Sequence, residues 1–298
     1  MLHPAVFPVP KEHRAWRRGV PEVVGKLMWE YIRFVIWALS IDSWVWLHAF
    51  LPSGRAGLMD AKEFLLERIS RGYELGEHPL IPGRIIEWLR TQEQICNEPR
   101  WDVKGPAEEC CERMFGGRIF WDEIQKRWFF VTKNERLPVE KASSGVREFQ
   151  PVVACLQWLA RASAGREPIV IIEEPEAHLH PKAIREEARF FARLAKIGFR
   201  LVLTTHSDYL VEQLGNLIKL GSVGAKDEEE KAVALRPKDV AVYLFRRCSR
   251  AKGFETVPVE VNEDGIDTTE FGEVMGAIYN EYADYHHRKP PKRKQQNG

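Results

Sequence analysis

An excess of charge of either sign is missing from this chain. Its 44 Lys and Arg against 43 Asp and Glu leave a net charge of +1, so no overall affinity for a polyanion follows. Cysteine is scarce too. Cys96, Cys110, Cys111, Cys155 and Cys248 are five, an odd number without metal-ligand spacing. Cys110 and Cys111 read as ordinary neighbouring thiols in preference to a vicinal redox pair. The opening Met1-Leu2-His3-Pro4 lacks the charged and then apolar regions of a secretory signal, and a cytoplasmic protein is expected. Long apolar runs are missing, whereas a membrane helix needs about 18 such residues or more. In the aromatic-rich stretch 23–51, Glu30, Arg33 and Asp42 interrupt, and only residues 34–41 are free of polar side chains but for Ser40. No membrane span is expected there; a buried helix followed by a strand over residues 44–51 fits better. No internal repeat stands out at the usual periods. A hydrophobic content of 44% and a charged content of 29% are those of an ordinary globular protein.

What is present centres on one stretch, Ile169-Val170-Ile171-Ile172-Glu173-Glu174-Pro175-Glu176-Ala177-His178-Leu179-His180-Pro181. Four apolar β-branched residues run into two carboxylates and a proline. Such a run suits a strand buried on both faces, as in a parallel sheet, and such sheets present their chemistry at the carboxyl ends of their strands. Pro175 has no N–H to continue the ladder. One acid placed there can hold Mg²⁺, and the next can orient or deprotonate an attacking water.

Two further stretches belong with it. Leu201-Val202-Leu203-Thr204-Thr205-His206-Ser207 is a second apolar run ending in polar residues. A helix over about residues 182–197 fits between the two, giving a strand–helix–strand unit with Glu174 and His206 both at strand ends. Upstream, Ala142-Ser143-Ser144-Gly145-Val146-Arg147-Glu148 precedes a helical pattern over residues 149–162. Serines and a glycine that open a helix can bind an anion through free N–H groups and the helix dipole.

In this order the motifs resemble the ATP-binding-cassette class of P-loop ATPases, and within it the SMC-like, OLD-like "AAA" group. The likeness is strong over residues 140–215 and weaker over 43–58 and 116–140. It implies an α/β, P-loop NTPase-like fold with a mostly parallel sheet, flanking helices, a helical lobe and a β-hairpin. It implies a signature at Ser143, Ser144 and Gly145, a Walker B strand over residues 169–174, a D-loop over 176–180 and a switch histidine at His206. The roles that follow are Glu173 for Mg²⁺ and Glu174 for the water. His206 would contact the γ-phosphate, and Ser143, Ser144, Gly145, Glu176 and His178 would line ATP held between two subunits. ATP and Mg²⁺ are the implied cofactors. A homodimer or a P-loop-bearing partner chain is the implied assembly, and DNA repair, chromosome handling or phage defence the implied setting.

Two departures stand out. Glu173 occupies a position where the wider class usually has Asp, although this group often shows Glu-Glu. No Gly-x-x-x-x-Gly-Lys-Ser/Thr occurs anywhere in the sequence, although that loop and its lysine cradle the phosphates. Gly19-Val20-Pro21-Glu22-Val23-Val24-Gly25-Lys26-Leu27 fails on glycine spacing, on Leu27 in place of Ser or Thr, and on Pro21 within the loop. The sequence thus looks like the later half of such an ATPase, with the P-loop strand missing. A separate polypeptide, a truncated gene and a misplaced start all remain open.

The rest of the chain divides accordingly. Residues 1–21 form a basic arm, and 22–58 give a helix and strand of the ATPase core. Residues 59–163 make a helical lobe with a hairpin and the signature, 164–284 the core with Walker B and switch histidine, and 285–298 a basic tail. Arg55 is expected to reach a phosphate or a neighbouring subunit, or else to cap a surface turn. Residues 59–96 read as helical and 97–116 show no pattern. Residues 118–123 and 127–133 alternate as a hairpin. Helices are expected after His206 and over 271–282. Residues 221–237, with Asp227-Glu228-Glu229-Glu230, read as a solvated loop. Two strands over 240–245 and 255–261 read as a sheet edge, and Asp264-Gly265 as a turn. The basic tail is one place where nucleic acid could bind.

Two other functions compete. His178, His180, His206, Glu173 and Glu174 offer ligands for a metal-dependent hydrolase or nuclease. A degenerate half kept for dimerisation or regulation would explain the absent P-loop.

Overall fold

The computed structural model describes residues 48–60, 104–125, 127–162, 167–248 and 253–287; the arm, most of the 59–96 helical stretch, Cys96 and the basic tail lie outside them. Strand β1 (His48–Leu51) ends at Pro52. The chain then turns through Gly54, whose φ of +68° suits a residue without Cβ, into the short helix α1 (Arg55–Asp60).

Helix α2 (Lys104–Phe115) lies where the sequence showed no pattern. Its core stripe is Ala107, Cys110 and Cys111, with Met114 and Phe115 packed behind. The spacing is helical, but small and sulfur-bearing residues among glutamates carry little apolar signal. A three-stranded antiparallel meander follows: β2 (Arg118–Asp122), β3 (Arg127–Val131) and β4 (Arg136–Pro138). The expected hairpin is its first two strands; β4 is an addition. The Arg136 guanidinium lies 4.1 Å from the centroid of the Phe129 ring, a cation–π contact that fixes β4 on β3.

After a 3₁₀ turn over Val139–Lys141, helix α3 (Ser144–Ala162) begins at the signature itself rather than at Phe149. Strand β5 (Ile169–Glu173), helix α4 (Pro181–Lys196) and strand β6 (Arg200–Thr204) form the expected strand–helix–strand unit. β5 lies between β1 and β6 and is parallel to both, with Leu51 opposite Ile172 and Glu173 opposite Thr204. Ile169, Val170, Ile171 and Ile172 are each at most 1% exposed, as a strand covered on both faces requires. Full burial of each such side chain stabilises by about 1.5–3 kcal/mol.

Helix α5 (Asp208–Val223) follows β6. The acidic run expected as loop is instead helix α6 (Glu228–Val233). Asp227 caps it by accepting the Glu230 N–H at 2.8 Å, and acids in a first turn oppose the helix dipole favourably. Val233 and Leu235 then bury against Leu217 and Ile218. Strands β7 (Val242–Arg247) and β8 (Phe254–Val259) pair only with each other, so among the described residues they form a separate hairpin and not an edge of the central sheet. A tight pair, β9 (Val261–Asn262) and β10 (Gly265–Ile266), encloses the expected turn at Asp264. Helix α7 (Thr269–His287) closes the described chain. One core cluster joins Ala107, Ile119, Phe149, Ile172, Phe191 and Leu210, so α2, the meander, α3, the central sheet, α4 and α5 share a single interior. Among the described residues no helix is long and apolar enough to cross a membrane.

Candidate functional site

The site forms where β5 and β6 end side by side. Glu173 is the last residue of β5, and its Oε2 accepts the Ser53 N–H at 3.3 Å. Burial raises its pKa and the adjacent Glu174 adds to this, against the Ser53 hydrogen bond and Arg55. Glu174 then leaves the strand with φ +42°, a left-handed conformation uncommon for a residue with Cβ. Its N–H still reaches across to the carbonyl of Thr204 at 2.9 Å, and to the Thr204 hydroxyl oxygen at 3.3 Å. A tight turn follows: Ala177 N–H donates to the Glu174 carbonyl and Leu179 N–H to the Glu176 carbonyl, each at 3.0 Å. His178 is the second left-handed residue, at φ +63°.

The Thr204-Thr205-His206-Ser207 segment is fixed at every residue but leaves one side chain outside. Thr205 donates its hydroxyl proton to Glu176 Oε1 at 2.6 Å, and its oxygen accepts the Ser207 N–H at 2.9 Å. Ser207 caps α5 by accepting the Leu210 N–H. The His206 N–H donates to the same Glu176 oxygen at 3.1 Å. Its imidazole projects outward, with the side chain 91% exposed and Nε2 3.9 Å from Glu174 Oε1.

The signature packs behind this turn. Gly145 is buried, and a Cβ there would meet Leu179 Cδ2 at 3.1 Å, Phe115 Cε1 at 3.2 Å and the His178 carbonyl at 3.3 Å. Ser143 and Ser144 are exposed at the start of α3. Thus Glu173, Glu174, Glu176 and His206 sit at one pair of strand ends, and Gly145 packs on the turn at His178, with Ser143 and Ser144 just before it in the chain. His180 has a different task. Its Nδ1 accepts the Lys182 N–H at 3.2 Å and caps α4, with Pro181 at the first helical position.

Beneath the turn lies Arg55, fully buried. Neither the surface cap nor the exposed phosphate reach expected of it is possible from there. Its Nε donates to the Glu148 carbonyl at 3.1 Å, and its Nη1 to the carbonyls of Pro52 at 3.0 Å and Glu173 at 2.8 Å. Its Nη2 reaches the Glu174 carbonyl at 3.5 Å and the Pro175 carbonyl at 3.4 Å. Glu148, 2% exposed, places Oε2 3.4 Å from Nε and accepts the Ala56 N–H on Oε1 at 3.1 Å. Burial lowers the Arg55 pKa while Glu148, Glu187, Glu176 and Glu173 raise it.

A carboxylate such as that of Glu173 suits Mg²⁺, which binds few protein ligands at a time. Among the described residues no three His, Cys, Asp or Glu side chains cluster as a metal centre. Cys110, Cys111 and Cys155 are buried free thiols, and burial raises the pKa of Cys111 and of Cys155 to about 12. They are protonated and unreactive.

A family profile described as "AAA domain, putative AbiEii toxin, Type IV TA system" matches residues 54–212, more than half of the 298. The chain belongs to this AAA family. No curated protein sequence matches it. Similar solved structures include one from work on ATP-driven dimerisation and DNA-stimulated activation of SMC ATPases. Identity is 13% and the TM-score 0.35, over 69% of this chain and 99% of that one. The SMC head domain from Thermotoga maritima is 15% identical with a TM-score of 0.33, over 58% and 52%. The Smc head domain with a coiled coil and joint derived from Pyrococcus yayanosii is also 15% identical, with a TM-score of 0.35, over 80% and 41%. The AAA chain therefore spans about half or less of these two head-domain proteins.

Within the AAA match, reading the motifs alone missed Arg55, Glu148, Thr205 and Glu187 as parts of the site's support. Arg55 follows Pro52-Ser53-Gly54, a turn cue that hid a side chain directed inward. Glu148 and Glu187 stood out no more than any charged residue on a helix.

Proposed function

We propose that this AAA chain is the ATP-binding and hydrolysing module of an SMC/OLD-like ABC-class ATPase. It works as a dimer or with a partner chain that carries the P-loop. The observation that carries the reading is Glu174 and His206, 3.9 Å apart on the ends of adjacent parallel strands. Glu174 is the base that orients and deprotonates the attacking water, and His206 contacts the γ-phosphate. Glu173 holds Mg²⁺, which when bound neutralises phosphate charge. Ser143, Ser144 and Gly145 bind the γ-phosphate of ATP held by the opposite subunit, and Glu176 and His178 line the same boundary. Backbone N–H groups and the dipole at the start of α3 favour that anion. The proposed setting is phage defence or DNA repair, and the basic tail is where nucleic acid would bind.

A second reading, a catalytically degenerate regulatory subunit, is favoured by the absence of Gly-x-x-x-x-Gly-Lys-Ser/Thr from the 298 residues. Co-expression with the product of the adjacent upstream reading frame separates the two. Co-purification with Mg²⁺-dependent ATP turnover supports the first. A stable complex without turnover supports the second. No association, with a compact monomer alone, overturns both.

A further inference from the structure

We propose that Arg55 is a positioning residue that couples the signature helix α3 to the catalytic turn at Glu174. The functional consequence rests on the hydrolytic reading above; the coupling itself rests on geometry. A guanidinium offers five N–H donors in one rigid plane. Here they are divided among three segments that are far apart in sequence: the β1–α1 turn at Pro52, helix α3 at Glu148, and the exit of β5 at Glu173, Glu174 and Pro175.

Each segment offers carbonyls that this guanidinium reaches. Glu174 leaves the ladder at φ +42°. Its carbonyl accepts the Ala177 N–H at 3.0 Å as well as the Arg55 guanidinium. The Pro175 carbonyl accepts from Arg55, which matters because buried carbonyls without a donor are costly. In α3 the Glu148 carbonyl accepts from Arg55.

The connection runs both ways. Glu148 stands one turn after Ser144 and Gly145, and its carboxylate also ties the start of α1 through the Ala56 N–H. Gly145 rests on the His178 carbonyl and Leu179. When Ser143 to Gly145 engage an anion, α3 moves as a packed body. Arg55 passes that displacement to the carbonyls on either side of Glu174. A lysine cannot replace it, because one ammonium cannot span three directions in a plane.

Hydrogen–deuterium exchange on the full chain tests this, comparing wild type, Arg55→Lys and Glu148→Gln. In Arg55→Lys, peptides over residues 173–179 should exchange on the order of 10-fold faster, while α4 and α5 keep their protection. Glu148→Gln should speed the same peptides to a smaller degree. Among the described residues Glu148 makes no hydrogen bond to that turn; its side-chain contacts that lead there are Arg55 itself and, through the Ala56 N–H, the helix that Arg55 begins. In an assembly that turns over ATP, Arg55→Lys should lower kcat and leave the KM for ATP within about twofold. Unchanged exchange over 173–179 in both variants overturns the coupling. So does a loss of protection spread through α4 and α5, which marks a merely structural role. If Arg55→Lys does not fold, Glu148→Gln decides. If wild type turns over no ATP in any assembly, the hydrolytic reading fails while the exchange pattern still judges the coupling.

Discussion

Thr205 donates its hydroxyl proton to Glu176 Oε1 at 2.6 Å, and that oxygen also accepts the His206 N–H at 3.1 Å. The turn after β5 and the turn after β6 are thereby one unit, and the exposed His206 is carried on a fixed backbone. Glu176 Oε2 is buried without a hydrogen-bond partner among the described residues, so Oε1 carries the carboxylate's bonding. Thr205→Val keeps the shape and removes the donor. It should cost about 1.5–3 kcal/mol, the worth of a hydrogen bond to a charged group. Urea denaturation would measure this; a change below about 0.5 kcal/mol, the scale of ordinary surface substitutions, would show the link to be idle.

Contact with the turn after β5 sets what Gly145 can become. Two of its near neighbours are side-chain atoms that can yield, but the His178 carbonyl at 3.3 Å belongs to a turn already in a left-handed conformation. Gly145→Val should destabilise by roughly 1–3 kcal/mol through overpacking. Ser144→Ala, at an exposed position one residue earlier, should stay within about 0.5 kcal/mol. Equal thermal midpoints for the two variants would contradict the tight packing of the signature on the turn.

The parallel unit of β5, α4 and β6 was legible because two short continuous apolar runs, one stopped by a proline and one by a polar cluster, read as buried strands with room for one helix between them. So were the residues gathered at its end, since their spacing is what places them on neighbouring strands. Helix α2 was not legible, because Ala107, Cys110 and Cys111 make a buried stripe from weakly apolar residues. Helix α6 was hidden by reading charge as solvation, whereas Asp227 and Glu228 to Glu230 are a cap and a first turn. Strands β7 and β8 were recognised as strands and misplaced, since alternation says nothing about which sheet a strand joins. Arg55 was misread for a related reason. Its value lies in carbonyls at Glu148, Glu173 and Glu174 that only the folded chain brings within reach.

In the proposed function Glu174 orients and deprotonates the attacking water. Glu174→Gln keeps the side chain's size and the N–H bond to the Thr204 carbonyl, and it removes only the basic oxygen. In an assembly with ATPase activity, turnover should fall by roughly 10²-fold or more, as for loss of a positioned general base. ATP binding should persist, so the nucleotide-bound assembly accumulates. Single-turnover measurements check this, and wild-type turnover in the variant would remove Glu174 from the role.

The buried acid Glu187 gives a prediction that needs no nucleotide. It lies on α4, 0% exposed, with neither oxygen hydrogen-bonded among the described residues. Burial raises its pKa from the ordinary 4.5 to about 8; Arg55 pulls it down and Glu176 pushes it up. The folded chain thus keeps a proton that the unfolded chain releases between these values. Stability from this group is fully present below about pH 4.5 and is lost as the pH rises through 8. At about 1.4 kcal/mol per pKa unit, the loss amounts to several kcal/mol by pH 9. Glu187→Gln keeps the shape of the neutral acid and cannot ionise. The variant should match wild type in urea denaturation at pH 5 and exceed it at pH 9, with a flatter profile between. Some slope of the same sign should remain, because Glu173 is also raised by burial, and its partial exposure makes that remainder small. Parallel profiles for the two proteins would mean that Glu187 does not hold its proton in the folded chain.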